Sequence, residues 1–157
     1  MASRKADYDR SMHLIDIENQ IGSPCCTPGE IRRWFRLYTA TVPLKHGDLV
    51  IIGVTTIHNR FTVEASGVTA RVVHQFGPDG ADLALQAVMR DEALEQRFGT
   101  IYCASGDGGF TEQVSRLGGG AAEVIVVARP LALARRLQLA AARVVLMPDR
   151  AEPKAVA

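Results

Sequence analysis

Short apolar runs rich in valine and isoleucine alternate along the chain with segments that carry apolar residues at helical spacing. Runs of this kind are typical of parallel strands that are covered on both faces, and the segments between them are typical of connecting helices. The pattern predicts strands at 12–17, 48–54, 71–76, 100–104, 123–128 and 143–147. It predicts helices at 28–40, 59–66, 79–98, 110–117 and 131–141. The expected fold class is therefore α/β, a Rossmann-like three-layer sandwich with a mostly parallel central sheet of five or six strands.

The helix predicted at 79–98 has the clearest periodicity in the chain. Asp79 is expected to cap its first turn, because an aspartate in that position accepts a hydrogen bond from a free backbone N–H. Glycines 118–120 are expected to close the following helix in the left-handed conformation, which other residues resist. The predicted buried face of the 79–98 helix consists of Leu83, Ala87, Leu94 and Phe98.

The composition describes one globular domain. The chain has 157 residues, of which 47% are apolar and 22% are charged, and this suits one ordinary core. We expect a single domain at 12–147, a flexible N-terminus at 1–11 and a flexible C-terminal tail at 148–157. The formal net charge is +1, so an anionic partner has to be held by a local patch or a bound cation.

The cysteines and the apolar runs bear on location. Cys25, Cys26 and Cys103 are an odd set without the paired spacing of a zinc site or a disulfide framework. We interpret them as reduced thiols of a cytoplasmic protein. No apolar stretch approaches the roughly 20 residues that a membrane span needs, so no membrane partner is expected. The apolar surplus is modest and leaves a homo-oligomer open.

Three aspartates stand where apolar runs end and a loop or helix begins: Asp16, Asp82 and Asp107. If the strands are parallel, their carboxyl ends meet at one edge of the sheet, where doubly wound folds bind ligands. Each aspartate also has a plainer explanation. Asp107 alone is equally well explained as a helix cap, and for Asp82 alone a role at the positive end of a helix dipole is slightly favoured. A lone carboxylate inside the predicted central strand is costly, so function is favoured for Asp16.

The chain resembles the NYN domain family of PIN-like metal-dependent ribonucleases in three blocks that agree in order and spacing. Leu14 to Asn19 (LIDIEN) is similar to the first-strand aspartate and asparagine of that family. Asp82 to Leu85 (DLAL) matches the acid that opens the central helix, and Ser105 to Phe110 (SGDGGF) matches the Ser-Gly-Asp turn. The match extends from about Met12 to Met147, and its specificity comes from the three blocks together.

The resemblance implies an endoribonuclease that hydrolyses RNA phosphodiester bonds by metal-activated water. Asp16, Asp82 and Asp107 would be both catalytic and metal ligands, and the metal would be Mg²⁺ or Mn²⁺. Mg²⁺ prefers oxygen ligands. In proteins it is typically held by one or two carboxylates together with water molecules and a substrate phosphate. The substrate-binding residues are expected to be Asn19, Ser105, His58 and Arg129.

Gly109 is a departure from the family pattern, because many relatives carry a second aspartate there. A further acid of the central helix is also missing, since Val88 and Met89 occupy its region. A catalytically impaired nucleic-acid- or protein-binding module of the same fold is therefore an alternative. A haloacid dehalogenase-like phosphatase is a second alternative. It would require an aspartate where Glu18 stands and a well-placed lysine, and Lys45 is badly placed for that role.

Overall fold

A computed structural model describes residues 9–148 as an α/β fold around one six-stranded sheet. The flexible segments expected at 1–11 and 148–157 lie outside the described residues except for 9–11 and 148. Ser11 already belongs to the first strand. The strands are β1 (Ser11–Asp16), β2 (Leu49–Val54), β3 (Arg71–His74), β4 (Thr100–Ala104), β5 (Glu123–Ala128) and β6 (Arg143–Leu146). The helices are α1 (Ile17–Ile21), α2 (Pro28–Thr41), α3 (Ile57–Ser66), α4 (Gly80–Asp91), α5 (Thr111–Gly118) and α6 (Arg135–Ala140).

The sheet is entirely parallel, with the strand order β3-β2-β1-β4-β5-β6. Side chains of a strand alternate between its two faces, and each face here has its own apolar core. One core contains Met12 and Leu14 of β1 with residues of α4, α5 and α6, and the other contains Ile15 with residues of α1, α2 and α3. The expected three-layer Rossmann-like sandwich is confirmed, with six strands. In residues 9–148, no helix combines the length and the apolar character that crossing a membrane requires.

The helix expected at 79–98 is shorter than predicted, and its expected buried face is right only in part, because Leu94 and Phe98 are fully buried but Leu83 is not. α4 ends at Asp91, and Ala93 then takes a left-handed conformation (φ 49°), which a continuing helix cannot accommodate. A separate 3₁₀ turn follows at Leu94–Gln96. Leu83 is 43% exposed, because the helix turns Leu85, Val88 and Met89 toward the sheet instead.

Two other helix ends differ from the prediction. Gly118 belongs to α5, and Gly119 caps it with a right-handed backbone (φ −74°), so the glycines do not close the helix by a left-handed turn. α6 starts at Arg135, four residues later than expected, because the chain after β5 first forms a loop in which Ala134 N bonds to Gly106 O. The short helix α1 is absent from the prediction. Its five residues are too few to show a helical period.

Gly53 allows α4 to approach the centre of the sheet closely. It pairs with Asp16 in the register of β1 and β2. A Cβ atom at this position would lie 2.6 Å from Leu85 Cγ and 2.9 Å from Ala81 O, which is too close for any side chain. The glycine therefore brings the first turn of α4 next to the carboxyl end of β1.

A buried polar network anchors the middle of β1 on the face that α2 covers. His13 is fully buried, with Nδ1 2.6 Å from Tyr38 Oη and Nε2 3.0 Å from Asp48 Oδ2. Burial lowers the pKa of His13 despite the neighbouring Asp48 carboxylate. The network joins three separate segments and fixes the strand whose last residue is Asp16.

Candidate acidic site

The three aspartates named from the sequence line one pocket of about 180 Å³ at the carboxyl edge of the sheet. Asp16 is the last residue of β1, Asp107 follows β4, and Asp82 lies in the first turn of α4. β1 and β4 are neighbours where the strand order reverses, and this is where doubly wound folds bind ligands. The pocket lining consists of Asp16, Glu18, Asn19, Thr55, Asp79, Ala81, Asp82 and Asp107.

Asp16 is the most buried of these carboxylates, with 5% of its surface exposed. Its Oδ1 accepts from Asn19 N (3.4 Å) and its Oδ2 accepts from Ser105 Oγ (3.2 Å). Burial raises the pKa of Asp16 to about 7, and the charges of Glu18 and Asp82 add to the rise while the two hydrogen bonds oppose it. A carboxyl with this pKa is half-protonated near neutral pH and gains from a nearby cation.

Asp82 is buried as well and has one side-chain partner. Its Oδ1 accepts from Gln86 Nε2 at 2.6 Å, one turn further along α4. Burial raises the pKa of Asp82, the Gln86 hydrogen bond lowers it, and the charges of Asp107 and Asp79 raise it again. Asp82 thus interacts with Asp16 on one side and with Asp107 on the other, which makes the acids one electrostatic group.

Asp107 caps a short turn and also lines the pocket. Its Oδ1 accepts a hydrogen bond from Gly109 N (2.8 Å) at the start of a 3₁₀ turn, Gly108–Phe110. Asp107 therefore does act as a cap, as one of the two interpretations expected. A Cβ atom on Gly109 would lie 2.5 Å from Asp82 Oδ2 and 3.3 Å from Asp107 Oδ1. The two carboxylates therefore converge on the space that this glycine leaves open.

Glu18, Thr55 and Asp79 also line the pocket, and of these the sequence did not identify Glu18 and Asp79 as site residues. Glu18 Oε2 accepts from Thr55 N (2.8 Å) and from Asn59 Nδ2 (2.9 Å), which fixes the glutamate against the end of β2. Asp79 occupies the N-cap position of α4 with a left-handed backbone (φ 58°) and makes no capping hydrogen bond, so the expected side-chain cap is wrong. The acid-rich motif around Asp16 was the available signal for Glu18.

The four expected substrate-binding residues are not all gathered at the acids. Asn19 lines the pocket, and its Oδ1 accepts from Gly106 N (3.1 Å). Ser105 lies beneath the pocket and holds both Asp16 and the backbone of Asp107. His58 is exposed on α3 and does not line the acidic pocket, and neither does Arg129, which lines a different cavity beside α1.

A groove with two arginines adjoins the acids across the glycine pair 108–109. Arg136 Nε lies 2.5 Å from the position that a Cβ atom of Gly108 would take, so its guanidinium packs on that backbone. Arg116 is engaged elsewhere, because it donates to Gln113 Oε1 and Met89 O. Within residues 9–148, Arg136 makes no hydrogen bond or ion pair. The groove is lined by Gly108, Gly109, Thr111, Glu112, Ser115, Arg116 and Arg136.

The acids offer the oxygen donors that Mg²⁺ and Mn²⁺ take, but they do not form a ready-made cage. Within residues 9–148, no three or more His, Cys, Asp or Glu side chains are arranged to hold a metal ion as they stand. Mg²⁺ is commonly held by one or two carboxylates, with waters and substrate phosphate supplying the rest. The donor chemistry therefore fits a cation of this kind that is held in part by water.

Comparisons with known proteins inform the fold alone. No family model matches the chain, and no curated protein matches it. Solved structures with this fold include the crystal structure of a protein of unknown function from Vibrio parahaemolyticus. The match covers 95% of this chain and 98% of the other, with a TM-score of 0.58 and 19% identity. The likeness supports the Rossmann-like α/β fold, and the NYN resemblance stays a prediction.

Proposed function

We propose that this protein is a metal-dependent nuclease that hydrolyses phosphodiester bonds, with RNA as its substrate. One observation carries the proposal: Asp16, Asp82 and Asp107, which are far apart in the chain, line the same pocket at the reversal point of the sheet. Carboxylates gathered in this way repel one another unless a cation joins them. RNA as substrate and a cytoplasmic location rest on the NYN resemblance and on the cysteine content.

Asp16, Asp82 and Asp107 would hold the Mg²⁺ or Mn²⁺ ion, and water would complete its oxygen ligands. When bound, the ion supplies an activated water and neutralises charge on the phosphate. The chain itself orients the carboxylates, through Asn19 N and Ser105 Oγ on Asp16 and through Gln86 on Asp82. In the hydrolysis, the water gives up a proton as its oxygen bonds to phosphorus, the bond to the leaving oxygen breaks, and the leaving oxygen takes up a proton.

Arg136 supports a polyanionic substrate rather than a small one. It lies beside the acids across glycines 108–109, and no acidic side chain of residues 9–148 is paired with it. With one phosphodiester of a strand at the acids, the Arg136 guanidinium would contact a neighbouring phosphate. Phosphate contacts of this type position a strand without reading its sequence.

A binding module without turnover is the second candidate, and it is favoured by Gly109, which stands where the NYN resemblance predicts a second aspartate. The phosphatase alternative has less support. Glu18 is committed to Thr55 and Asn59, and Lys45 bonds to Asp9 ahead of β2, at the amino edge of the sheet.

The test is incubation of purified protein with labelled single-stranded RNA, structured RNA and DNA, each with Mg²⁺, with Mn²⁺ or with chelator. We expect RNA cleavage that requires the metal and is lost in Asp16→Asn. Asp91→Asn is the matched control, because Asp91 is exposed at the far end of α4 and lies outside the pocket. Cleavage that persists in Asp16→Asn would contradict the assignment of the site. Binding without cleavage would favour the module, and phosphate release from small monoesters would favour the phosphatase.

A further inference from the structure

A second cavity lies on the other side of α1 from the acidic pocket, at the same edge of the sheet. Its volume is about 270 Å³, which is close to the lower end of the range for small-molecule sites. Glu18 and Asn19 of α1 line the acidic pocket, while Gln20 and Ile21 line this cavity. The lining consists of Gln20, Ile21, Trp34, Leu37, Arg129, Pro130, Leu131, Ala132, Met147 and Pro148.

Three lining side chains each carry a buried polar atom without a hydrogen-bond partner: Gln20 Oε1, Trp34 Nε1 and Arg129 Nε. Gln20 is 1% exposed and Trp34 is 2% exposed. Most buried polar groups in folded proteins have a partner, and leaving one unpaired costs free energy. Three such atoms around one cavity indicate a site that is completed by something other than residues 9–148.

The orientation of the Gln20 amide follows from its other contact. Its Nε2 donates to Val127 O at 3.0 Å, and reversing the amide would set two oxygen atoms against each other. The unpaired atom is therefore an acceptor, whereas Trp34 Nε1 and Arg129 Nε are donors. The complementary ligand offers one donor group and two acceptors.

We propose that this cavity binds an unstacked pyrimidine base of the nucleic-acid strand whose phosphate lies at the acidic pocket. The proposal rests on the nuclease function and adds a base-recognition site to it. Uracil presents one N–H and two carbonyl oxygens, and cytosine presents one amino group with two acceptors. Adenine and guanine do not offer this set on their pairing edge, and their double rings fill more of a small cavity. Unstacked bases are the usual targets of sequence-specific RNA recognition.

The three polar atoms are themselves buried, so the proposal requires the side chains of Gln20, Trp34 and Arg129 to reorient when the base binds. Apolar lining from Ile21, Leu37 and Met147 suits the faces of a flat ring.

Trp34 is the only tryptophan in the chain and lies in the cavity wall, so its fluorescence reports directly on occupancy. The experiment titrates the full chain, in the presence of chelator, with short oligouridylate, oligocytidylate, oligoadenylate and N3-methylated oligouridylate. Excitation at the red edge of the tryptophan band limits absorption by the bases. We expect saturable changes with both pyrimidine strands, and affinity at least about tenfold lower for the purine strand and for the N3-methylated strand, which lacks the donor.

Gln20→Met removes the acceptor, together with the hydrogen bond from Nε2 to Val127 O, while keeping the size of the side chain, and we expect it to weaken the pyrimidine response by about tenfold. Gln96→Met, at an exposed position outside the cavity, is the matched control. Arg129→Met provides a second variant if the first is poorly folded. Equal responses to all four strands, or none, would overturn the proposal. Equal affinity for uridine monophosphate and oligouridylate would overturn the assignment to a strand. Because chelator is present, the result does not depend on cleavage, and loss of cleavage alone leaves the base site standing.

Discussion

Gly109 lies so close to Asp82 that a Cβ atom on this residue would be 2.5 Å from Asp82 Oδ2. The NYN resemblance predicts a second aspartate at this position. In this chain, an acid there would occupy the space into which Asp82 and Asp107 point. The glycine is therefore a requirement of the present arrangement of carboxylates, whatever that arrangement binds.

Gly109→Ala tests this relationship. The added methyl group forces Asp82 away from Asp107, and we expect at least about a tenfold loss of metal-dependent cleavage, since small displacements of catalytic groups have large effects. Gly118→Ala is the matched control, because its nearest neighbour would be Val124 Cγ2 at an ordinary 3.9 Å. Unchanged cleavage in Gly109→Ala with a normal melting temperature would show that the position of Asp82 does not matter.

Asp16→Asn is expected to stabilise the metal-free protein at neutral and higher pH. The pKa of Asp16 is about 7 when folded and near 4 when unfolded, so the folded state binds more protons between these values. Stability therefore falls as the pH rises through this window, and the asparagine variant escapes that loss. We expect a gain of about 1–3 kcal/mol in the free energy of unfolding above pH 7, measured by denaturant titration in chelator. Parallel pH profiles for the two proteins would contradict the raised pKa.

Mg²⁺ or Mn²⁺ is expected to raise the melting temperature of the native chain and to leave that of Asp16→Asn nearly unchanged. A ligand that binds the folded state at ten times its dissociation constant adds about 1.4 kcal/mol of stability. The effect should be greater at pH 8 than at pH 6, because the metal competes with protons on Asp16 and Asp82, whose pKa values are raised. An equal shift in both proteins would place the metal elsewhere.

Arg136→Met is expected to weaken the binding of RNA about equally for all sequences. Loss of one phosphate contact also reduces the slope of log affinity against log salt by roughly one. Arg135→Met is the matched control, since Arg135 is the neighbouring exposed arginine of α6 and does not line the groove. Equal effects of the two substitutions, measured by filter binding at several salt concentrations, would argue against a specific contact.

The sequence predicted the sheet better than the helices. The strands β4 and β5 were placed to the residue, because buried valine and isoleucine runs are distinctive. The predicted α4 was too long, because the residue types around Ala93 do not indicate the left-handed backbone that Ala93 adopts. Its predicted buried face was right for Leu94 and Phe98 and wrong for Leu83, since Gly53 lets Leu85 pack inward and this contact joins distant parts of the chain.

For the candidate site, the sequence located the three aspartates together with Asn19 and Ser105, but not the rest of their surroundings. Parallel strands bring their carboxyl ends to one edge of the sheet, so the sequence could predict that Asp16 and Asp107 lie at the same edge. Glu18 was missed because its hydrogen bond to the backbone of Thr55 spans 37 residues, and periodicity carries no information on such pairs. Asp79 was predicted to cap α4 with its side chain. The local sequence is the same whether or not that capping hydrogen bond forms, so the error could not be seen from the sequence.

The helix α1 divides the edge of the sheet into two compartments with a single turn of backbone. Successive residues of an α-helix are rotated by about 100°, so one residue deleted before Gln20 would move its amide to the place of Asn19, beside the carboxylates. Single substitutions in α1 should consequently separate into two classes, one altering the reaction and the other altering the choice of ligand, whereas length changes should abolish both at once.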